Sequence, residues 1–165
     1  VSVLEIVQWP DARLARLCAP VSDIEALKAD IRDLFETMYA APGRGLAGPQ
    51  IGLMSRVFVM DAGWKDGTKT PLACINPEIT ERSDEKITGP EGCLSMPGVT
   101  ADVVRHARIT LAFSDLIGAR QSMEMTGAEA IIAQHELDHL DGVMHFDRLE
   151  TQARAALLKD YEALA

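Results

Sequence analysis

Residues 134–139 read Gln134-His135-Glu136-Leu137-Asp138-His139. They lie in a segment, Gly127–Leu140, whose apolar residues Ile131, Ile132 and Leu140 recur at helical spacing, with Gly142 following as a stop. On a helix, residues four apart leave the same face about one turn apart, so His135 and His139 can grip one metal ion. Glu136 beside them can act as general base on water activated by that ion. A catalytic site of this type uses three protein ligands and keeps one position open. Two histidines therefore call for a third ligand. Alone, the pattern also arises on acidic helices, where each His is a core or surface residue.

The only later histidine, His145, stands six residues past His139 and beyond the helix-ending Gly142. That spacing makes it a poor ligand, and a solvated loop position is expected. Cys93 is the better candidate. It sits in Glu91-Gly92-Cys93-Leu94-Ser95, flanked by Gly89-Pro90 and Pro97-Gly98, which read as turns. A thiolate is a strong ligand for iron, zinc, cobalt or nickel. The plain alternative is a buried structural thiol, the ordinary fate of a lone cysteine. Cys18 and Cys74 take that plain assignment, because their surroundings are apolar and hold no ligand-like neighbours.

A third segment, Gly43-Arg44-Gly45-Leu46-Ala47-Gly48-Pro49-Gln50, matches G-x-G-x-x-G by accident. A dinucleotide site needs a strand before and a helix after; here a helix precedes and Pro49 stands where a helix would begin. It lacks the Gly-Lys-Ser/Thr ending of a phosphate loop. Close-spaced glycines instead let backbone approach a ligand, and Gln50 offers an amide donor suited to an oxyanion. Standing alone, the segment would be a surface glycine loop.

Composition narrows the class. The 165 residues suggest one domain, residues 1–165, with a real core. No apolar run approaches the roughly 20 residues of a membrane span, and the N-terminus lacks the basic-then-apolar layout of a secretory signal. A net charge of -9 with no basic stripe argues against a nucleic-acid surface. Three widely spaced cysteines do not make a disulfide framework, so a reducing, cytoplasmic setting is expected.

The remaining elements follow from periodicity. Ile24, Leu27, Ile31, Leu34, Phe35 and Met38 predict an amphipathic helix over Asp23–Ala40, opened by a Ser22–Glu25 capping box and closed by Ala41-Pro42-Gly43. Strands are expected at Arg56–Met60, Leu72–Ile75 and Glu78–Thr80, with Asn76-Pro77 as a break. Val103–Phe113 and Gln121–Met125 read as an antiparallel pair turning near Gly118, and Thr151–Leu164 as a last helix with Leu157, Tyr161 and Leu164 on one face. Mixed short strands with a ligand-delivering helix predict an α+β fold.

Taken in order, the three segments resemble the peptide deformylase family, whose motifs are a G-x-G-x-A-A-x-Q loop, an E-G-C-x-S segment and a Q-H-E-x-D-H helix. Here these are Gly43–Gln50, Glu91–Ser95 and Gln134–His139. The resemblance implies antiparallel sheets around a central HExxH helix, with one helix N-terminal and one C-terminal. It implies Cys93, His135 and His139 as metal ligands and Glu136 as the catalytic acid/base. Gln50 and the backbone N–H of Leu94 would hold the formyl oxygen. Glu91 would be a structural carboxylate, supported by Arg105. The implied reaction removes the N-formyl group from formylmethionyl nascent peptides and releases formate. One divalent metal per chain is implied, Fe(II) first, with zinc, nickel or cobalt able to bind such a donor set. Gly43, Arg44, Gly45, Ile131 and Ile132 would wall the substrate pocket.

Departures from that pattern concern the substrate rather than the metal. Gly48 replaces the family's usual Ala, which should loosen the loop slightly. Arg44 replaces an aliphatic residue at the channel's edge. It either meets peptide side chains or lays its stem on apolar surface with its charge in water. Thr100 and His106 also differ near the substrate-binding strand. These positions keep open a deformylase-like paralogue or an amidase for other N-acyl substrates, and a non-catalytic metal-binding protein is the third alternative. The segment after Thr151 carries Arg154 and Lys159 against Glu150, Asp160 and Glu162. It is no polybasic tail, so strong ribosome docking by that route is not expected, although the ribosome stays open as a partner.

Overall fold

The computed structural model describes residues 2–164, which form seven strands and three α-helices in an α+β arrangement. Strands β1 (Gly45–Ala47), β2 (Val57–Met60), β3 (Leu72–Arg82), β6 (Arg108–Ser114) and β7 (Arg120–Thr126) make one antiparallel sheet in the order β1-β2-β3-β6-β7. Strands β4 (Lys86–Glu91) and β5 (Ala101–His106) pair separately as an antiparallel ribbon.

Strand β2 is buried on both faces because it is apolar at every position. Successive side chains alternate between faces, and β2 uses this fully. Val57 and Val59 meet Ile31, Leu34 and Met38 of α1 (Lys28–Ala40). Phe58 and Met60 join Ile109, Leu111 and Phe113 of β6 against Ala130, Ala133 and Leu137 of α2 (Gly127–Leu140). Helix α2 thus lies against the sheet, opposite α1, and the Gln134–His139 segment is fixed in its last two turns. Its C-terminal carbonyl at Leu140 accepts from Arg56 Nη1 at 2.9 Å and from the Cys18 N–H at 2.9 Å. Gly142 follows at φ 73°, a left-handed conformation that favours glycine and ends the helix. A third cluster packs Ala101 and Val103 of β5 with Met96, Phe146 and Leu157, the last from α3 (Thr151–Glu162).

Several expected boundaries move. The first helix opens as a 3-10 turn over Glu25–Leu27 and becomes α-helical only at Lys28. The Ser22–Glu25 box does not form; Asp23 Oδ1 accepts the Ala26 N–H at 3.3 Å instead, a local bond that competes with helical capping. The Asn76-Pro77 break lies within one strand, β3, where the pairing with β6 slips. Asn76 takes φ 48° and clamps Val21, accepting its N–H at 2.8 Å and donating to its carbonyl at 2.9 Å. Val103–Phe113 is not one strand. It divides at Ala107 between the ribbon and the large sheet. Gly89-Pro90 is not a turn either, since both lie in β4 opposite Val103 and Asp102. A two-stranded ribbon tolerates Pro where its missing N–H faces away from the partner. Leu164 falls beyond the end of α3 and is exposed, whereas Leu157 is buried.

Candidate metal centre and adjoining groove

Cys93 reaches the histidine pair from the loop after β4. Its Sγ lies 3.4 Å from His139 Nε2, and one donor atom from each of Cys93, His135 and His139 falls within 4.8 Å of the others. Thiolate and imidazole ligands at ordinary bond lengths around one tetrahedral ion lie roughly 3.6 Å apart. The Cys93–His139 separation matches that spacing, and the three donors could hold a small divalent metal. All three are buried.

His135 is held by other groups, whereas His139 Nδ1 is buried without a hydrogen-bond partner. His135 Nδ1 donates to Glu91 Oε1 at 2.9 Å, which fixes the ring and leaves Nε2 free to ligate. Glu91 takes a two-pronged bond from Arg105, Nε to Oε2 and Nη2 to Oε1, both at 2.9 Å. Arg105 Nη1 also donates to Asp138 Oδ2 at 2.6 Å, and Arg148 closes on the same carboxylate at 2.7 and 3.0 Å. Helix α2 is thus tied to the ribbon by a chain running Arg148–Asp138–Arg105–Glu91–His135, buried except at Arg148, whose side chain is 49% exposed. Burial opposes ionisation of Glu91, but Arg105 and His135 outweigh it and hold the carboxyl down at about 2.

The electrostatics favour a cation at this point. Burial disfavours a charged His135 ring, yet Glu136, Cys93 and Glu91 together raise its pKa well above the usual value. Burial and the neighbouring His135 push His139 well below it, so that ring is neutral and can ligate. Glu136 is buried with Oε1 unpartnered, and desolvation pushes its carboxyl up to about 7. A carboxyl titrating near neutrality is suited to taking and returning a proton.

Gln50 is 2 % exposed and closely held. Its Oε1 accepts the Ala47 N–H at 3.0 Å; its Nε2 donates to Ser95 Oγ at 3.0 Å and faces Cys93 Sγ at 3.7 Å. The glycine segment is not a surface loop: Gly45–Ala47 is strand β1 and Leu46–Gln50 is buried. Its glycines serve close packing inside the protein. A Cβ on Gly45 would stand 2.6 Å from Glu136 Oε2, and one on Gly48 2.6 Å from the Leu53 carbonyl. The expectation that Gly48 merely loosens the loop is therefore corrected; an alanine methyl there would meet backbone.

Gln50, Cys93, Leu94, His135 and Glu136 line one cavity of about 330 Å3, whose walls include Arg44, Gly45, Ile131 and Ile132. Gly43 does not line it. Gly43 borders an adjoining open groove of about 970 Å3, shared with Arg44, Leu94 and Thr100, and its carbonyl accepts from Trp64 Nε1 at 2.9 Å. His106 lines neither. Its main chain is tied to the Gln134 amide at 2.9 and 3.1 Å, behind α2. His145 lies apart from the three-ligand group but is buried, not solvated, its ring centre 5.9 Å from that of His135. No local cue in the chain announced that burial. Asp138, Ser95 and Trp64 were not singled out as site residues; Asp138 was visible as the fifth residue of the quoted hexapeptide, but its partners lie 10 and 33 residues away.

Residues 3–155 match the family model described as polypeptide deformylase. A "peptide deformylase-like" protein of Brucella melitensis is 44% identical over 160 residues, covering 96% of each chain. A peptide deformylase of Alkalilimnicola ehrlichii is 42% identical, covering 99% of this chain and 91% of that one. Among solved structures, a plant peptide deformylase superposes with TM-score 0.93 at 35% identity, over 99% of this chain and 90% of that one. The Thermus thermophilus peptide deformylase gives 0.91 at 39% identity, over 98% and 95%.

Proposed function

The chain belongs to the polypeptide deformylase family, and on that premise we propose that it hydrolyses the N-formyl group of formylmethionyl nascent peptides, releasing formate. One observation carries the proposal: three metal-ligand atoms lie within 4.8 Å of one another, and two of the residues that supply them, Cys93 and His135, line a cavity with buried Glu136, whose Oε1 has no partner. Binding a metal requires neither Glu136 nor Gln50, so their presence speaks for catalysis.

Cys93, His135 and His139 would hold the ion. When bound, a divalent metal there supplies Lewis-acid chemistry, acidifying water and polarising a carbonyl. The thiolate donates more charge than a third imidazole would and suits Fe(II), the ion we expect in the cell; zinc, nickel and cobalt match the same donors. Glu136 takes a proton from the attacking water and returns it to the leaving amine, two transfers by one group, worth roughly 10²–10⁴-fold. Gln50 Nε2 and the Leu94 N–H stabilise the oxygen that gains charge at the formyl carbon, about 3 kcal/mol per donor. The bonds from Gln50 to Ala47 and Ser95 hold that amide in place beforehand. Ile131 and Ile132 offer apolar wall to the methionine side chain, which is flexible and polarizable enough to fill an irregular slot.

The test is formate release by Fe(II)- or Ni(II)-loaded protein under anaerobic conditions. Formyl-Met peptides are compared with acetyl-Met and with formyl-Asp peptides. Turnover confined to formyl-Met substrates is the expected result. Preferred cleavage of acetylated peptides would make the chain an amidase of another class, and metal binding without turnover would make it non-catalytic.

A further inference from the structure

The groove beside the metal centre carries positive charge on a protein that is otherwise strongly negative. Arg44 lines both the cavity and the groove, so it stands where a peptide leaves the reaction centre. Lys65 lines the groove too, and among the described residues no acidic side chain does. Neither cation has an ion-pair partner among the described residues. Arg44 Nε is buried without a hydrogen-bond partner, an exception in folded proteins that a ligand would remedy. The net charge of the chain is -9, so its general field repels acidic peptides, and two unpaired cations in the substrate path work against that field.

We infer that this groove selects formyl peptides carrying a carboxylate just beyond the formylated residue, received by Arg44 and assisted by Lys65. The inference rests on the deformylase function proposed above. The carboxylate has two sources, an acidic side chain at the second residue or the free α-carboxylate of a short formyl peptide. Both present the same planar pair of oxygens that a guanidinium grips in two-pronged fashion.

Residues behind the groove hold the Arg44 backbone in position. Trp64 Nε1 donates to the Gly43 carbonyl at 2.9 Å, and the Arg44 carbonyl accepts the Asp61 N–H at 2.9 Å. Tyr39 packs edge-on against Trp64 at 5.2 Å and donates to Asp61 at 2.6 Å. The backbone on both sides of the guanidinium stem is therefore anchored, which lowers the ordering cost of a contact.

The experiment compares kcat/KM of metal-loaded protein for formyl-Met-Glu-Ser-amide and formyl-Met-Gln-Ser-amide, and for formyl-Met-Ala with free and amidated C-termini. The wild type should prefer the charged member of at least one pair by about two- to fivefold at low salt, the range of a partly exposed ion pair. High salt and Arg44→Gln should bring that preference toward one, Lys65→Gln should reduce it, and Arg44→Lys should keep most of it. Preference for Glu over Gln assigns a side-chain carboxylate; preference for the free terminus assigns the α-carboxylate. Ratios of one or less in both pairs, with the neutral peptides turned over, overturn the inference and leave the deformylase function standing. If no peptide is turned over, the proposed function fails. Calorimetric binding of Met-Glu-Ser-amide against Met-Gln-Ser-amide, in wild type and Arg44→Gln, then decides: discrimination lost in the variant supports the groove, and no discrimination overturns it.

Discussion

Gly45 lies so close to Glu136 that a Cβ on the glycine would stand 2.6 Å from Glu136 Oε2 and 2.9 Å from Ile132 Cγ2. Strand β1 and helix α2 therefore meet at the carboxylate proposed to move the proton, and that contact has no room for a methyl group. The prediction is that Gly45→Ala folds and binds metal but loses deformylation. Displacing a reacting group by about 1 Å can cost on the order of 100-fold, and a loss of at least tenfold in kcat is expected. Rates within twofold of wild type would mean that β1 gives way without moving Glu136.

Glu136→Gln keeps the size of the side chain and removes its proton chemistry. Metal content per chain should stay unchanged, since Glu136 is outside the three-ligand group. Formate release should fall roughly 10²–10⁴-fold. A metal-replete variant with near-wild-type turnover would assign the proton transfers to another group.

Arg105 stands between two buried carboxylates, Glu91 and Asp138. Arg105→Met would leave Glu91 with only His135 and Asp138 with only Arg148, and breaking a buried pair this way costs roughly 3–5 kcal/mol. Glu91 would also hold His135 less firmly, and loss of such support lowers metal affinity roughly 10–100-fold. Urea unfolding and metal competition with a chelator measure the two effects separately. A stable variant with unchanged metal affinity would show that the charge chain only decorates the site.

How much of this was legible in the chain differs by element. Helix α2 was, because its apolar spacing, its histidine pair and Gly142 all point the same way. The division of Val103–Phe113 was not. Buried positions run 101, 103 and 105 in β5 and 109, 111 and 113 in β6. The alternation keeps its parity across Ala107, so nothing in the pattern marks a change of sheet. Strand β4 was hidden by Gly89-Pro90, and β1 by the glycines around it. The candidate metal ligands could be named from motif chemistry, but the Arg148–Asp138–Arg105–Glu91 chain joins residues far apart in sequence, and only the folded contacts assemble it. Arg44's cationic neighbour Lys65 was invisible for the same reason.

Asp61, whose N–H donates to the Arg44 carbonyl, gives a pH-dependent test of the support behind the groove. It accepts from Tyr39 Oη at 2.6 Å and from the Thr70 N–H at 2.9 Å. Burial raises its pKa, but these bonds outweigh it and leave the carboxyl below the usual value. A depressed folded pKa means stability fully present above the unfolded value, near 4, and lost as pH falls through the folded one. Asp61→Asn should therefore cost about 1.5–3 kcal/mol at pH 7, the range for hydrogen bonds to a charged group. The gap from wild type should close as pH drops below about 4. Denaturation across pH 3–8 checks this, and a gap constant with pH would show that the charge of Asp61 contributes nothing.

Gly48 separates what the motif resemblance implies from what this chain has built. The resemblance places an alanine here, and a sequence-level view makes the exchange nearly neutral. In the folded protein a Cβ at Gly48 would stand 2.6 Å from the Leu53 carbonyl, 2.9 Å from that of Ser55 and 3.3 Å from that of Val57. Three backbone oxygens cannot swing aside as a side-chain tip can, so the turn leading to Gln50 would have to shift. Gly48→Ala should cost about 1–3 kcal/mol, the usual penalty for overpacking. The reduced backbone entropy of the unfolded alanine chain returns at most about 1 kcal/mol. Because Gln50 follows two residues later and its Oε1 is fixed by the Ala47 N–H, kcat should fall with stability while metal content holds. Thermal unfolding and kcat measured on one preparation decide it. A variant as stable and as active as wild type would mean that the Leu53–Val57 backbone yields to the methyl, and that the close approach at Gly48 is not what holds Gln50 in place.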